Sequence, residues 1–257
     1  MMFALWNLLA AVALVIVMLA CQAYGRRLAT ARGVTAGGEK SSGGTAEAAV
    51  FTLLGLLLAF TFSGAASRFD DRRYLVVEET NAIGTAWLRI DLLPADRQGD
   101  MRDLFRQYLD ARIDTYRHVP DMEAVRADMA RALALQDRIW QKATEGADAA
   151  GTPQTYTVLL PALNQMIDIT TTRTAVTQFH PPPVIYGMVV VLACIGSVFS
   201  GWAMAASTTL SWVHRFSFPV VTAITLYVIV DIEYPRLGLI KVDHVDQLFV
   251  TLRQSMR

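Results

Sequence analysis

Four stretches of this chain are apolar for long enough to cross a bilayer, and no other feature limits its fold as strongly. A membrane-spanning helix needs roughly 20 mostly apolar residues, and residues 3–22, 46–62, 184–206 and 212–230 answer to that description. The last two are joined by Ser207 to Ser211, a link too short for anything but an antiparallel hairpin. An even number of spans puts both ends of the chain on one side. The first segment has no Lys or Arg ahead of Phe3, so it lacks the charged start of a secretory signal. In Met18-Leu19-Ala20-Cys21 the leucine expected three residues before a lipoprotein cysteine is replaced by Met18, so the segment reads as a retained span.

Composition narrows the function classes. With 53% hydrophobic residues, 18% charged residues and a mean hydropathy of +0.34, the chain is a membrane protein carrying a polar portion. Lys and Arg number 23 against 23 Asp and Glu, so no basic excess points to nucleic acid. Cys21 and Cys194 both lie inside apolar runs, where a thiol behaves as a small hydrophobe, and neither a disulfide framework nor a cysteine metal site is indicated.

The polar portion, residues 67–183, reads as amphipathic helix. Met101, Leu104, Phe105, Tyr108, Leu109, Ile113 and Tyr116 recur at helical spacing with charged residues between them. A second helix starts near Pro120-Asp121, with Met122, Val125, Met129, Leu133, Gln136 and Trp140 on its apolar face, and ends at a loop from Gly146 to Gly151. Leu159, Leu163, Met166, Ile167 and Thr170 carry a third, stopped by Pro181-Pro182-Pro183. The expected fold class is therefore an all-α membrane protein, four transmembrane helices with a helical extramembrane domain between the second and third. The divisions fall at residues 1–66, 67–183, 184–230 and a C-terminal tail, 231–257.

No strong helix stop occurs between Ala46 and Leu93, so one helix of roughly 70 Å leaves the bilayer and enters the polar domain. Beyond the bilayer it carries Val76, Thr80, Ile83, Trp87 and Ile90 on one face and Glu78, Asn81, Thr85 and Arg89 on another. Within the bilayer Gly55, Ala59 and Ser63 recur every four residues, a small-residue face that admits another helix closely. Thr52, Leu56 and Phe60 form the stripe beside it. Around a symmetry axis Leu56 and Phe60 would make an apolar ring of the kind that gates by dewetting, with Glu78, Asn81, Thr85 and Arg89 lining a polar vestibule. The competing reading is that Leu56 and Phe60 face lipid and that the polar stripe is a solvated face.

Catalysis finds no support. Among His118, His180, His214 and His244 no two stand at i,i+3 or i,i+4, and neither a phosphate loop nor a nucleophile elbow is present. Glu78 and Glu79 are adjacent, so on a helix they point to different faces and make no carboxylate dyad. No enzyme activity and no cofactor are expected.

The run from Leu53-Leu54-Gly55 through Leu58-Ala59-Phe60, Arg68-Phe69 and Asp71-Arg72-Arg73 to Trp87-Leu88-Arg89 resembles the bestrophin-like domain family of bacterial membrane proteins, named for its similarity to the bestrophin anion channels. Asp231-Ile232-Glu233-Tyr234-Pro235-Arg236-Leu237-Gly238 is similar to the run after the last bestrophin span. The resemblance implies a homopentamer in the bacterial inner membrane, an ion channel conducting anions rather than cations. Its second span would line the pore, with Thr52, Leu56 and Phe60 at the neck. Its partners would be further copies of itself, the lipid bilayer and inorganic ions. The dense acidic cluster of the animal calcium clasp is not matched, and Asp231 and Glu233 are the metal-ligand candidates the chain offers there. The alternative is a non-conducting sensor or scaffold whose helical domain binds a partner.

Orientation is pulled two ways. Arg68, Arg72, Arg73, Arg173, Arg236 and Lys241 flank the spans on the polar-domain side, while Arg26, Arg27, Arg32, Lys40 and Arg215 lie opposite in shorter loops, which leans toward a polar domain outside the cytoplasm. The resemblance implies a cytoplasmic domain, and that is the expectation adopted.

Overall fold

A computed structural model describes residues 2–34, 44–205, 212–240 and 243–256. The interior of the Gly33 to Gly44 loop and the hairpin link Ser207 to Ser211 lie outside the described residues, so neither expectation is addressed. The described residues form eight α-helices and contain no strand: α1 (Met2–Ala31), α2 (Gly44–Leu88), α3 (Ala95–Arg117), α4 (Met122–Ala150), α5 (Pro153–Val176), α6 (Pro183–Ala205), α7 (Trp212–Glu233) and α8 (Asp243–Ser255). A 3₁₀ turn, Arg89–Leu92, ends α2 just ahead of Pro94. Four helices, α1, α2, α6 and α7, are long and apolar enough to cross a membrane. The chain divides into two compact units.

One unit holds residues 1–68 and 180–240. Its core gathers Met18, Leu54, Ala65, Val189, Ala193, Leu226 and Ile229 from all four apolar helices. The closest approach is between α1 and α6. A Cβ on Gly25 would stand 2.1 Å from the carbonyl oxygen of Val198, and one on Gly201 would stand 2.0 Å from that of Gln22. Backbone meets backbone there, and only glycine leaves room for it. Polar ties add direction to an apolar contact: Asn7 Nδ2 donates to the Tyr227 carbonyl (3.2 Å) and Gln22 Nε2 to Ser200 Oγ (3.5 Å).

The other unit holds residues 69–179 and 241–257. On α3 the helical pattern read from the sequence is the buried one: Met101, Leu104, Phe105, Tyr108, Leu109 and Ile113 all reach the core. Helix α4 departs from expectation. Its buried face is Val125, Ala132, Leu135, Gln136, Ile139 and Ala143, while Met122 and Leu133 are exposed. Alanines mark this face, because α4 packs closely against its neighbours and a larger side chain would hold them apart. Asp121 caps the helix as expected, its Oδ1 accepting from the backbone N–H of Glu123 (3.1 Å) and Ala124 (3.2 Å). The expected loop from Gly146 is instead helix as far as Ala150. A Cβ on Gly146 would stand 2.8 Å from Leu93 Cδ2, so this glycine serves packing, and the left-handed stop is Gly151 with φ 62°.

The C-terminal segment, read from the sequence as a tail, contains α8. Its Phe249, together with Met256 just beyond it, is buried in the core with Ile83, Trp87, Phe105, Ile139, Leu163 and Met166. Arg253 of α8 grips Asp110 of α3 with both carboxylate oxygens engaged, at 2.8 and 3.2 Å.

Candidate functional site

Along the apolar part of α2 one side is covered and the other is bare. Leu54, Thr61 and Ala65 are buried, and Leu57 and Leu58 are half-buried against the same core. The expected neck residues Thr52, Leu56 and Phe60 are all exposed, Leu56 at 51% and Phe60 at 67% of full accessibility. The expected packing residues Gly55, Ala59 and Ser63 are exposed as well, and a Cβ on Gly55 would meet nothing within 4 Å. Both stripes lie on the bare side, which is therefore broad enough to take in the roughly 100° between adjacent helix positions. The close glycine contact inside the chain is made elsewhere, by Gly25 and Gly201.

Farther along α2, Asn81 is exposed while Glu78 and Thr85 are half-buried. Arg89 falls in the 3₁₀ turn and donates from Nη1 to the Val158 carbonyl (2.8 Å), tying the turn to α5. Large apolar side chains are nonetheless bare on this half of the helix: Tyr74 is 63% and Leu88 72% exposed. Phe60, Ser67, Tyr74, Asn81 and Leu88 stand seven residues apart, and every one of them is exposed.

The strongest polar cluster was not read from the sequence. Glu79, not Glu78, is wholly buried, and it accepts from Arg112 Nε at 2.6 Å, from Arg112 Nη2 at 3.1 Å and from Arg173 Nη1 at 2.5 Å. Arg112 Nη2 also donates to Tyr116 Oη, and the Arg173 guanidinium lies over the Tyr116 ring, 4.1 Å from its centre. Burial works against the charge of Arg112, but the neighbouring Tyr116 and Glu79 outweigh it and hold its pKa above the ordinary value. Burial and the Glu79 carboxylate push Tyr108 up to about 12. The available signal was position: Glu79 stands three residues after Val76 and four before Ile83, on the apolar face of α2.

In the other unit the two acidic metal-ligand candidates are engaged by protein groups. Glu233 accepts from Arg68 Nε (3.0 Å) and Nη2 (2.9 Å), and His180 Nδ1 lies 3.1 Å from its Oε1 while the His180 ring stacks on Tyr234. Asp231 accepts from the backbone N–H of Leu239 (2.9 Å) and Ile240 (2.7 Å), folding the chain back after α7. Among the described residues no group of three or more His, Cys, Asp or Glu side chains could hold a metal ion.

Comparison with known proteins places this arrangement. No curated protein matches the chain. Its structure is similar to that of a variant bacterial bestrophin homologue from Klebsiella pneumoniae, with a TM-score of 0.62 at 13% sequence identity, over 98% of this chain and 97% of that one. That likeness shows a shared fold. The sequence description of the bestrophin-like domain matches residues 12–246, nearly the whole chain, and the protein therefore belongs to the bestrophin-like domain family.

Proposed function

We propose that the protein is an ion channel of bestrophin type, a homopentamer of the bacterial inner membrane that conducts anions through a pore lined by α2. Thr52, Leu56 and Phe60 form its neck, Gly55, Ala59 and Ser63 pack one copy against the next, and the face of Glu78, Asn81, Thr85 and Arg89 lines the vestibule. The helical domain stands between the second and third spans, on the cytoplasmic side. One observation carries the reading. Lipid accounts for an exposed Leu56 or Phe60, but it does not account for bare Tyr74 and Leu88 in a stretch rich in charged residues. Exposed large apolar groups outside the membrane mark a surface that meets protein, and the seven-residue spacing from Phe60 to Leu88 suits a seam between like helices.

Purified protein in planar bilayers, recorded under chloride and sodium gradients with the native mass of the same sample measured, tests the proposal. A pentamer whose reversal potential follows chloride supports it. An intact oligomer that is silent across salts, pH and voltage would give way to the scaffold reading. Orientation is tested by a membrane-impermeant thiol reagent on intact cells. It is expected to label a cysteine placed at Ser42 and to spare one placed at Ala149, and the reverse labelling overturns the orientation.

A further inference from the structure

Between α4 and α5, with α3 beneath, lies a cavity of 320 Å³. Its polar lining comes from Arg112, Gln136, Thr171 and Thr174, its apolar lining from Met129, Leu133 and Ala175, and no acidic residue lines it. Arg112 is 1% exposed. Its Nε and Nη2 are engaged by Glu79 and Tyr116, which leaves Nη1 without a hydrogen-bond partner among the described residues. Gln136, also buried, donates its amide N–H to Tyr108 Oη (3.0 Å) and Thr170 Oγ1 (3.3 Å), and its carbonyl oxygen is likewise without a partner among the described residues. Neither atom is sealed from solvent, unlike the unpartnered Gln22 Oε1 and Ser197 Oγ of the other unit, so both border a space that a solute can enter.

The charge of the lining selects the solute. One carboxylate, Glu79, is shared by two guanidiniums, Arg112 and Arg173. A second acid, Asp246, lies 3.6 Å from Arg173. The two acids balance the two guanidiniums, but neither acid lines the cavity, so the charged group it presents is the Arg112 guanidinium. An ammonium group would find no acid there, whereas a carboxylate would find Nη1 of Arg112 and the hydroxyl of Thr171, the Thr174 hydroxyl being already donated to the Thr170 carbonyl (2.9 Å). Opposite them Met129, Leu133 and Ala175 offer a surface for a short hydrocarbon body. The volume is near the lower end for a ligand pocket, which excludes large or doubly substituted acids.

We propose that this cavity binds a small aliphatic monocarboxylate, its carboxylate on Arg112 and its chain along α4. The site is independent of conduction and is tested without it. Full-length protein in lipid nanodiscs is titrated calorimetrically with hexanoate, butanoate and the neutral hexanamide. Saturable hexanoate binding is expected, with hexanamide at least tenfold weaker. Butanoate, two methylenes shorter, is expected to bind roughly ten- to fifteenfold more weakly than hexanoate. Ala175→Phe fills the mouth from an exposed position and is expected to abolish binding with melting temperature and oligomer mass unchanged. As a second probe on the exposed lip, Leu133→Gln and Leu133→Glu both remove apolar contact and only Glu adds a repelling charge, so Leu133→Glu is expected to weaken hexanoate severalfold more than Leu133→Gln does. Absence of saturable binding, equal binding of hexanamide, or equal effects of Leu133→Glu and Leu133→Gln would overturn the proposal.

Discussion

Arg112 donates to both carboxylate oxygens of Glu79, from Nε to Oε1 at 2.6 Å and from Nη2 to Oε2 at 3.1 Å, and Glu79 is sealed from solvent while Arg112 keeps only an edge on the cavity beside it. The pair joins α2 to α3, and Arg173 of α5 closes on the same carboxylate. Taking such ions out of water is costly, and their attraction offsets the cost only while every partner is present. Glu79→Gln removes the negative charge and leaves two guanidiniums facing each other in the core. A destabilisation of about 3–5 kcal/mol is expected, measured by chemical denaturation of the full chain in mild detergent. A change under about 1 kcal/mol would mean that water reaches the cluster.

The spans and the apolar face of α3 were legible in the sequence because each is a local pattern, a long hydropathy run or a repeat of large apolar residues. The buried face of α4 was not, because Ala132 and Ala143 carry little hydrophobic signal and the large Met122 and Leu133 on the other face carry more. Helix α8 was missed although Val245, Phe249, Leu252 and Met256 recur at helical spacing, since four apolar positions over three turns are a weak pattern without the core they fill. Glu79 was illegible for another reason. Its partners are 33 and 94 residues away, and only the fold brings them together. The bare side of α2 was legible as two stripes of different character, but which neighbours cover the opposite side followed only from packing.

Tyr108 gives stability a dependence on high pH. Its pKa is pushed up to about 12 by burial and by the Glu79 carboxylate, whereas the unfolded chain releases the same proton near 10. Between those values the folded state holds more protons than the unfolded state, so stability is fully present below about pH 10 and is lost as pH rises toward 12. The loss attributable to this group is about 2–3 kcal/mol. Denaturation midpoints taken from pH 9 to 11 are expected to fall more steeply for the native sequence than for Tyr108→Phe. Parallel slopes would assign the dependence to other groups.

Two small-residue positions separate packing within a chain from packing between chains. A methyl group at Gly201 would collide with the Gln22 carbonyl and force α1 from α6, so Gly201→Ala is expected to cost about 1–3 kcal/mol in stability. Ala59 is exposed, on the side of α2 left bare by the described residues. Ala59→Leu is therefore expected to leave the protomer folded and to lower the oligomer fraction. Native mass measurement beside a thermal melt on both variants reads the two effects separately. A wild-type monomer in mild detergent would remove the basis for an intersubunit role.

Phe60 decides whether the bare face of α2 is a pore. Its ring is the most exposed of the large apolar side chains between Gly44 and Phe62, one turn from Leu56 on the same side. Around a symmetry axis these two residues would close an apolar constriction in which water and ions are poorly solvated, and the barrier to passage would grow with side-chain size. Phe60→Ala should widen and wet that constriction, so a severalfold rise in conductance or open probability is expected with the oligomer intact. If the ring instead faces lipid, it has little packing inside the protein to lose, and the substitution is expected to change stability slightly and current not at all. Native protein and Phe60→Ala recorded side by side in the same bilayers distinguish the two. Equal currents from both would move the constriction away from Phe60, and equal silence would move the protein out of the channels.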